Sequence, residues 1–207
     1  MRREGFLFLV FEGIDGSGKS TMARAVADKL RGAGRTVRLL REPGGTPLGE
    51  AVRHLLLQRR QGLEIGKMAE LLLYMVSRAQ LVDEAIQVAA RAGEVVILDR
   101  FYYSSVAYQG WGLGLDPEFI EGLGRRLTGT LEPHRIVLLD CSPPQALARR
   151  GLERDRIESR DLDYFARARE GYLAQARARP QQFVIIDAGE RLAEVEQRVM
   201  ESLADVL

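Results

Sequence analysis

The chain reads as one doubly wound α/β domain, a five-stranded parallel sheet flanked by helices on both faces. Three observations predict this. Apolar runs of strand length recur at Phe6 to Phe11, Thr36 to Leu40, Val95 to Leu98, Ile136 to Leu139 and Phe183 to Ile186, with helical patterns between them. These runs are continuous rather than alternating, as in strands covered on both faces. The first run feeds the glycine loop Gly13-Ile14-Asp15-Gly16-Ser17-Gly18-Lys19-Ser20 and then the helical sequence Thr21 to Leu30, giving strand, loop and helix in order.

The remaining elements follow from local signals. After the second strand comes a polar, loop-like stretch, Arg41 to Gly45, and then a helix near Leu48 to Gln58. The longest helical pattern runs from Met68 to Ala90 and is stopped by Arg91-Ala92-Gly93. The third strand closes on Asp99-Arg100. Prolines open the helices predicted near Pro117 to Arg126 and Pro144 to Arg150. A charged stretch, Leu152 to Ser159, precedes helices at Leu162 to Ala178 and Leu192 to Val206, with the fifth strand between those two. Arg41 to Gly45 and Asp99-Arg100 follow the carboxyl ends of strands, where ligands of open α/β sheets bind.

Length and composition narrow the function classes. A chain of 207 residues with 46% hydrophobic content fits a single domain, residues 1–207, with one core. Its net charge of +1 argues against a general nucleic-acid surface and leaves small-molecule partners. No apolar run approaches membrane-spanning length, and Met1-Arg2-Arg3-Glu4-Gly5 leads into the first strand without a signal-peptide pattern, so a cytoplasmic protein is expected, with no membrane partner. Cys141 is the only cysteine, which excludes an intrachain disulfide.

The glycine loop carries the chemistry. Gly13 and Gly18 let the backbone curl so that N–H groups of Gly13 to Thr21 face phosphate oxygens, helped by the positive end of the helix that follows. Lys19 would reach the β and γ phosphates of a bound nucleotide, and Ser20 would hold Mg²⁺. Asp99, at the end of a neighbouring strand, is a second candidate for Mg²⁺ or its water, and Arg100 offers a planar fork for a phosphate. Gly16 brings no further cation to the loop. Arg154 and Arg156, in a short arginine-rich lid at about residues 150–160, are then the candidates to neutralise a transferring phosphoryl group.

With these motifs in view, the chain resembles bacterial thymidylate kinases, within the P-loop NTPase fold. The resemblance rests on Phe11-Glu12-Gly13-Ile14-Asp15-Gly16-Ser17-Gly18-Lys19-Ser20-Thr21, Arg41-Glu42-Pro43-Gly44-Gly45-Thr46, Asp99-Arg100-Phe101 through Ala107-Tyr108-Gln109-Gly110, and Asp155-Arg156-Ile157-Glu158. It implies transfer of the γ-phosphoryl group of ATP to thymidine monophosphate, with Lys19, Arg100, Arg154 and Arg156 acting at the transition state. It also implies a base pocket in which Tyr74 stacks on thymine, Arg78 donates to the base, and Ser104, Ser105 and Gln109 line the wall. Tyr108 then crowds the 2′ side of the sugar. Arg53 and Arg100 would clamp the acceptor phosphate beside Asp15 and Glu42, either Arg149 or Arg150 would stack on adenine, and the protein would be a homodimer. Another pyrimidine monophosphate kinase is the nearest alternative. A hydrolysing nucleotide switch fits less well, because no Asn-Lys-x-Asp or Thr-Lys-x-Asp motif occurs.

Overall fold

The computed structural model describes residues 5–58, 62–151 and 155–207. Five strands, β1 (Leu7–Glu12), β2 (Val37–Arg41), β3 (Val95–Asp99), β4 (Arg135–Asp140) and β5 (Phe183–Asp187), form one sheet in the order β2-β3-β1-β4-β5, all parallel. Every strand lies within two residues of its predicted span. The continuous apolar runs of β1, β3 and β4 are buried on both faces, whereas the edge strands β2 and β5 stay partly open, with Ile185 47% exposed. A strand at the rim has only one neighbour to cover it.

The helices are α1 (Lys19–Gly32), α2 (Pro47–Leu57), α3 (Lys67–Leu81), α4 (Gln87–Ala92), α5 (Tyr102–Ser105), α6 (Pro117–Thr128), α7 (Pro143–Ala148), α8 (Leu162–Ala178) and α9 (Leu192–Leu203). The expected long helix is α3 and α4 joined through a π-helical turn, Val82–Ile86, and it ends at Gly93 in a left-handed conformation. Side chains set several starts: Thr46 accepts from the Gly49 amide before α2, and Asp161 accepts from the Tyr164 amide before α8.

A second π-helical turn, Val106–Gly112, continues α5 and lies outside the helical spans that periodicity marks. Its run of aromatic, small and glycine residues has no apolar stripe to betray a helix. Packing holds it: a side chain at Gly171 of α8 would meet Trp111 at 2.7 Å, and one at Gly112 would meet Tyr164 at 2.5 Å. Glycine at these two contacts lets α8 lie close along the turn, as bulkier residues would not.

Strand register brings the loops together. Phe11 of β1 and Arg41 of β2 are both level with Asp99 of β3. The next amides continue the pattern, Arg100 N–H donating to the Phe11 carbonyl at 3.0 Å and Glu42 N–H to the Asp99 carbonyl at 2.9 Å. Three chain segments therefore leave the sheet side by side at its carboxyl edge, where strand order reverses about β1.

Candidate active site

The glycine loop between β1 and α1 packs so tightly that two of its glycines have no room for a Cβ. One at Gly13, φ 138°, would sit 2.4 Å from the Leu139 carbonyl; one at Gly16, φ 86°, would sit 2.2 Å from the Ala146 carbonyl of α7. Lys19 is buried and folds back to donate to the Ile14 carbonyl at 2.9 Å. The Ser20 hydroxyl donates to the Asp99 carboxylate, joining the loop to the end of β3. Among the described residues no three His, Cys, Asp or Glu side chains form a metal cage. A hydroxyl beside a carboxylate instead suits a hard cation that keeps water and takes its other ligands from phosphate.

Arg100 stands at the centre. It is the only non-glycine residue with positive φ among the described residues, 73°, a conformation costing roughly 1–2 kcal/mol. Its guanidinium pairs with Asp15 and donates to the Gly13 carbonyl at 3.1 Å, to Ser104 Oγ at 3.0 Å and to the Tyr172 hydroxyl at 3.0 Å. Glu12, wholly buried, supports this arrangement by accepting from the Phe101 amide at 2.7 Å, Ser104 Oγ at 2.6 Å and the Tyr172 hydroxyl at 3.1 Å. Burial raises the Glu12 carboxyl above its usual range, and these donors with Arg100 offset it only in part. Asp15 goes the other way. Burial alone would raise it, but Arg100, Lys19, the Tyr108 hydroxyl and Arg150 together hold it well below the usual carboxylate range.

One cavity of about 710 Å³ runs from the glycine loop to the base-pocket segment. Its lining includes Lys19, Ser20 and Thr21 of the loop and α1, Arg149, Asp99 and Arg100, and also Arg53, Tyr74, Ser105 and Gln109, with Asp15, Glu42, Ser104 and Tyr108 in the same wall. Arg53 donates to the Pro43 carbonyl at 3.0 Å. The phosphate-loop residues and the base-pocket residues thus share a single cleft.

Similarity to known proteins decides the family. The thymidylate kinase family profile matches residues 11–199. Thymidylate kinase of Symbiobacterium thermophilum is 42% identical over 203 residues, 97% of this chain and 94% of the relative; that of Deinococcus radiodurans is 42% identical over 202 residues, 96% and 97%. The crystal structure of thymidylate kinase from Ehrlichia chaffeensis superposes with a TM-score of 0.77 at 32% identity, covering 96% of this chain and 99% of that one. The chain belongs to the thymidylate kinase family.

Within that family frame, five expected site arginines need separate description. Arg78 does not line the cavity; it is 1% exposed beneath its wall, bonded to Glu42 at 2.7 Å and to Ser105 Oγ at 3.1 Å. Of the open pair, Arg149 lines the cavity, while Arg150 donates twice to the Asp15 carbonyl, at 3.0 and 2.7 Å, and covers the Phe165 ring at 4.2 Å. Arg156 departs from the expected place over the phosphates. Its guanidinium is taken up by Glu70 at 2.7 Å and the Leu56 carbonyl at 2.8 Å, outside the cavity lining, because a buried carboxylate there needs a cation. Arg154 lies outside the described residues.

Three residues of this thymidylate kinase family site had no role in the sequence reading: Glu12, Glu70 and Tyr172. Glu12 carried a signal, an acidic residue ending a buried apolar strand. Tyr172 and Glu70 carried none, since their partners lie 68 and 39 residues away at the nearest.

Proposed function

We propose the residue roles by which this member of the thymidylate kinase family transfers the γ-phosphoryl group of ATP to thymidine monophosphate. The supporting observation is the single cavity that Lys19 and Arg100 share with Tyr74 and Gln109. Phosphoryl transfer needs in-line positioning and cations where charge develops, so no side-chain nucleophile is required and an acceptor phosphate oxygen attacks directly. The loop Gly13 to Thr21 cradles the donor phosphates, Lys19 and Arg100 hold the charge of the transferring group, and Arg53 with Arg100 orients the acceptor phosphate. Ser20 and Asp99 would hold Mg²⁺, which when bound neutralises donor phosphate charge. Arg149 covers the adenine end. Tyr74 and Gln109 take the thymine, with Arg78 and Ser105 behind them. Glu42 Oε1, buried with no hydrogen-bond partner among the described residues, is an acceptor left for the ligand. Arg154 and Arg156 belong to the lid, Arg156 through its hold on Glu70.

A coupled assay with ATP and the thymidine, deoxycytidine and deoxyuridine monophosphates tests this reading. Thymidine monophosphate should be the best acceptor, and hydrolysis without acceptor should be slow. Equal turnover with all three, or acceptor-independent hydrolysis, overturns it.

A homodimer and a cytoplasmic site of action belong to the same proposal. No helix of the described residues is long and apolar enough to cross a membrane. Met68, Leu72 and Val76 of α3, spaced four apart, are 45%, 48% and 43% exposed, beside the exposed Leu48 and Leu55 of α2. An apolar face of this kind suits a self-complementary two-fold contact. Leu72→Asp should convert the dimer to monomer in light scattering after size exclusion; an unchanged mass places the contact elsewhere.

A further inference from the structure

Glu70 lies on α3 one turn before Tyr74 and is 1% exposed. Its carboxylate accepts from three separate residues: Gln109 Nε2 at 2.9 Å, Arg156 Nη2 at 2.7 Å and Arg160 Nη2 at 2.6 Å. Gln109 lines the cavity, whereas both arginines come from the segment before α8, and Arg160 is further held over the Tyr164 ring at 4.4 Å.

We infer that Glu70 is a positioning residue for base choice, acting through Gln109. A carboxylate between two guanidinium groups accepts hydrogen bonds and offers none. Gln109 must therefore turn its amide nitrogen toward Glu70, which leaves its carbonyl oxygen as the group presented to the cavity. That oxygen is complementary to a pyrimidine with N–H at N3, as in thymine. Cytosine presents a lone pair there, so two acceptors would face each other unpaired. Arg156 and Arg160 contribute by holding Glu70 in place through their two ion pairs with it. This inference rests on the reading of Gln109 as a base-facing residue.

The test is Glu70→Gln, assayed on thymidine and deoxycytidine monophosphates with thermal unfolding measured on the same preparation. A carboxamide can donate as well as accept, so Gln109 is freed to flip. The ratio of kcat/KM for thymidine over deoxycytidine monophosphate should fall about tenfold, with KM for thymidine monophosphate raised more than kcat is lowered. If both substrates lose activity in parallel and the ratio is unmoved, Glu70 is only structural and the inference fails. Should E70Q not fold, Glu70→Asp, which shortens the reach to Gln109, is read by the same ratio with the same two outcomes. Wild-type enzyme that shows no preference between the two bases overturns the reading of the pocket itself; wild-type preference preserved in the variant overturns the role of Glu70 alone.

Discussion

Lys19→Ala is expected to lower turnover by about 10²- to 10³-fold, while KM for thymidine monophosphate changes little because the lysine serves the donor end of the cavity. Its Nζ, held at the Ile14 carbonyl, has only to swing from a backbone oxygen to phosphate oxygens. Steady-state kinetics with varied ATP and varied acceptor separate the two ends. A loss confined to the acceptor KM would remove Lys19 from the transition state. The same residue sets a pH limit. Burial first, then the Arg100 charge, pushes the lysine down to about 8, with Asp15, Asp99 and Glu12 opposing. It is a cation below that value and neutral above it, so kcat/KM for ATP, which follows free-enzyme ionisations, should decline as pH passes through about 8. A level profile well past that point would contradict the assignment. Stability moves oppositely: between about 8 and the ordinary 10.5 the unfolded chain binds the proton better, so ligand-free protein gains stability as pH rises through that window.

Glu42→Ala should be the most damaging change to stability. Arg78 and Glu42 are 1% and 3% exposed at their side chains and bonded at 2.7 Å, so removing the carboxylate leaves a guanidinium buried without its counter-ion. Breaking a buried pair in this way costs about 3–5 kcal/mol, which for a domain of this size lowers Tm by roughly 6–20 °C. Thermal unfolding at pH 8 is the measurement, and a shift of a degree or two would mean that the pair contributes little. Replacing Arg78 by methionine in the same chain should restore part of the loss, because the orphaned charge is then gone. The measurement belongs at pH 8 for a reason. Burial lifts Glu42 to about 7, with Arg78 opposing and Glu12 adding to the rise. The stability gained from holding that proton is complete below about 4.5 and disappears as pH climbs through about 7. Glu42→Gln should therefore flatten the wild-type pH dependence across that interval.

Local signals were readable wherever backbone geometry forces residue type. Gly13 and Gly16 stand where a Cβ would strike carbonyls at 2.4 and 2.2 Å, so the loop is spelled out in glycine. Asp99-Arg100 ends a buried strand, and the five apolar runs are β1 to β5 almost residue for residue. The helix through Tyr108 and Gln109 was harder, since α8 holds it and no periodic stripe marks it.

The chain order of residues was thus enough to establish a parallel sheet, a phosphate-binding loop, a facing aspartate-arginine pair and the chemistry they imply, because each depends on neighbours a few positions apart. The destinations of the arginines came from the folded molecule. Arg78, Arg150 and Arg156 are alike in one dimension, yet one is buried on Glu42, one braces the Asp15 carbonyl and one is anchored to Glu70. A guanidinium on a long side chain goes to whichever buried acceptor needs its charge, and those acceptors are brought within reach only when strand register and helix packing close segments up to 135 residues apart.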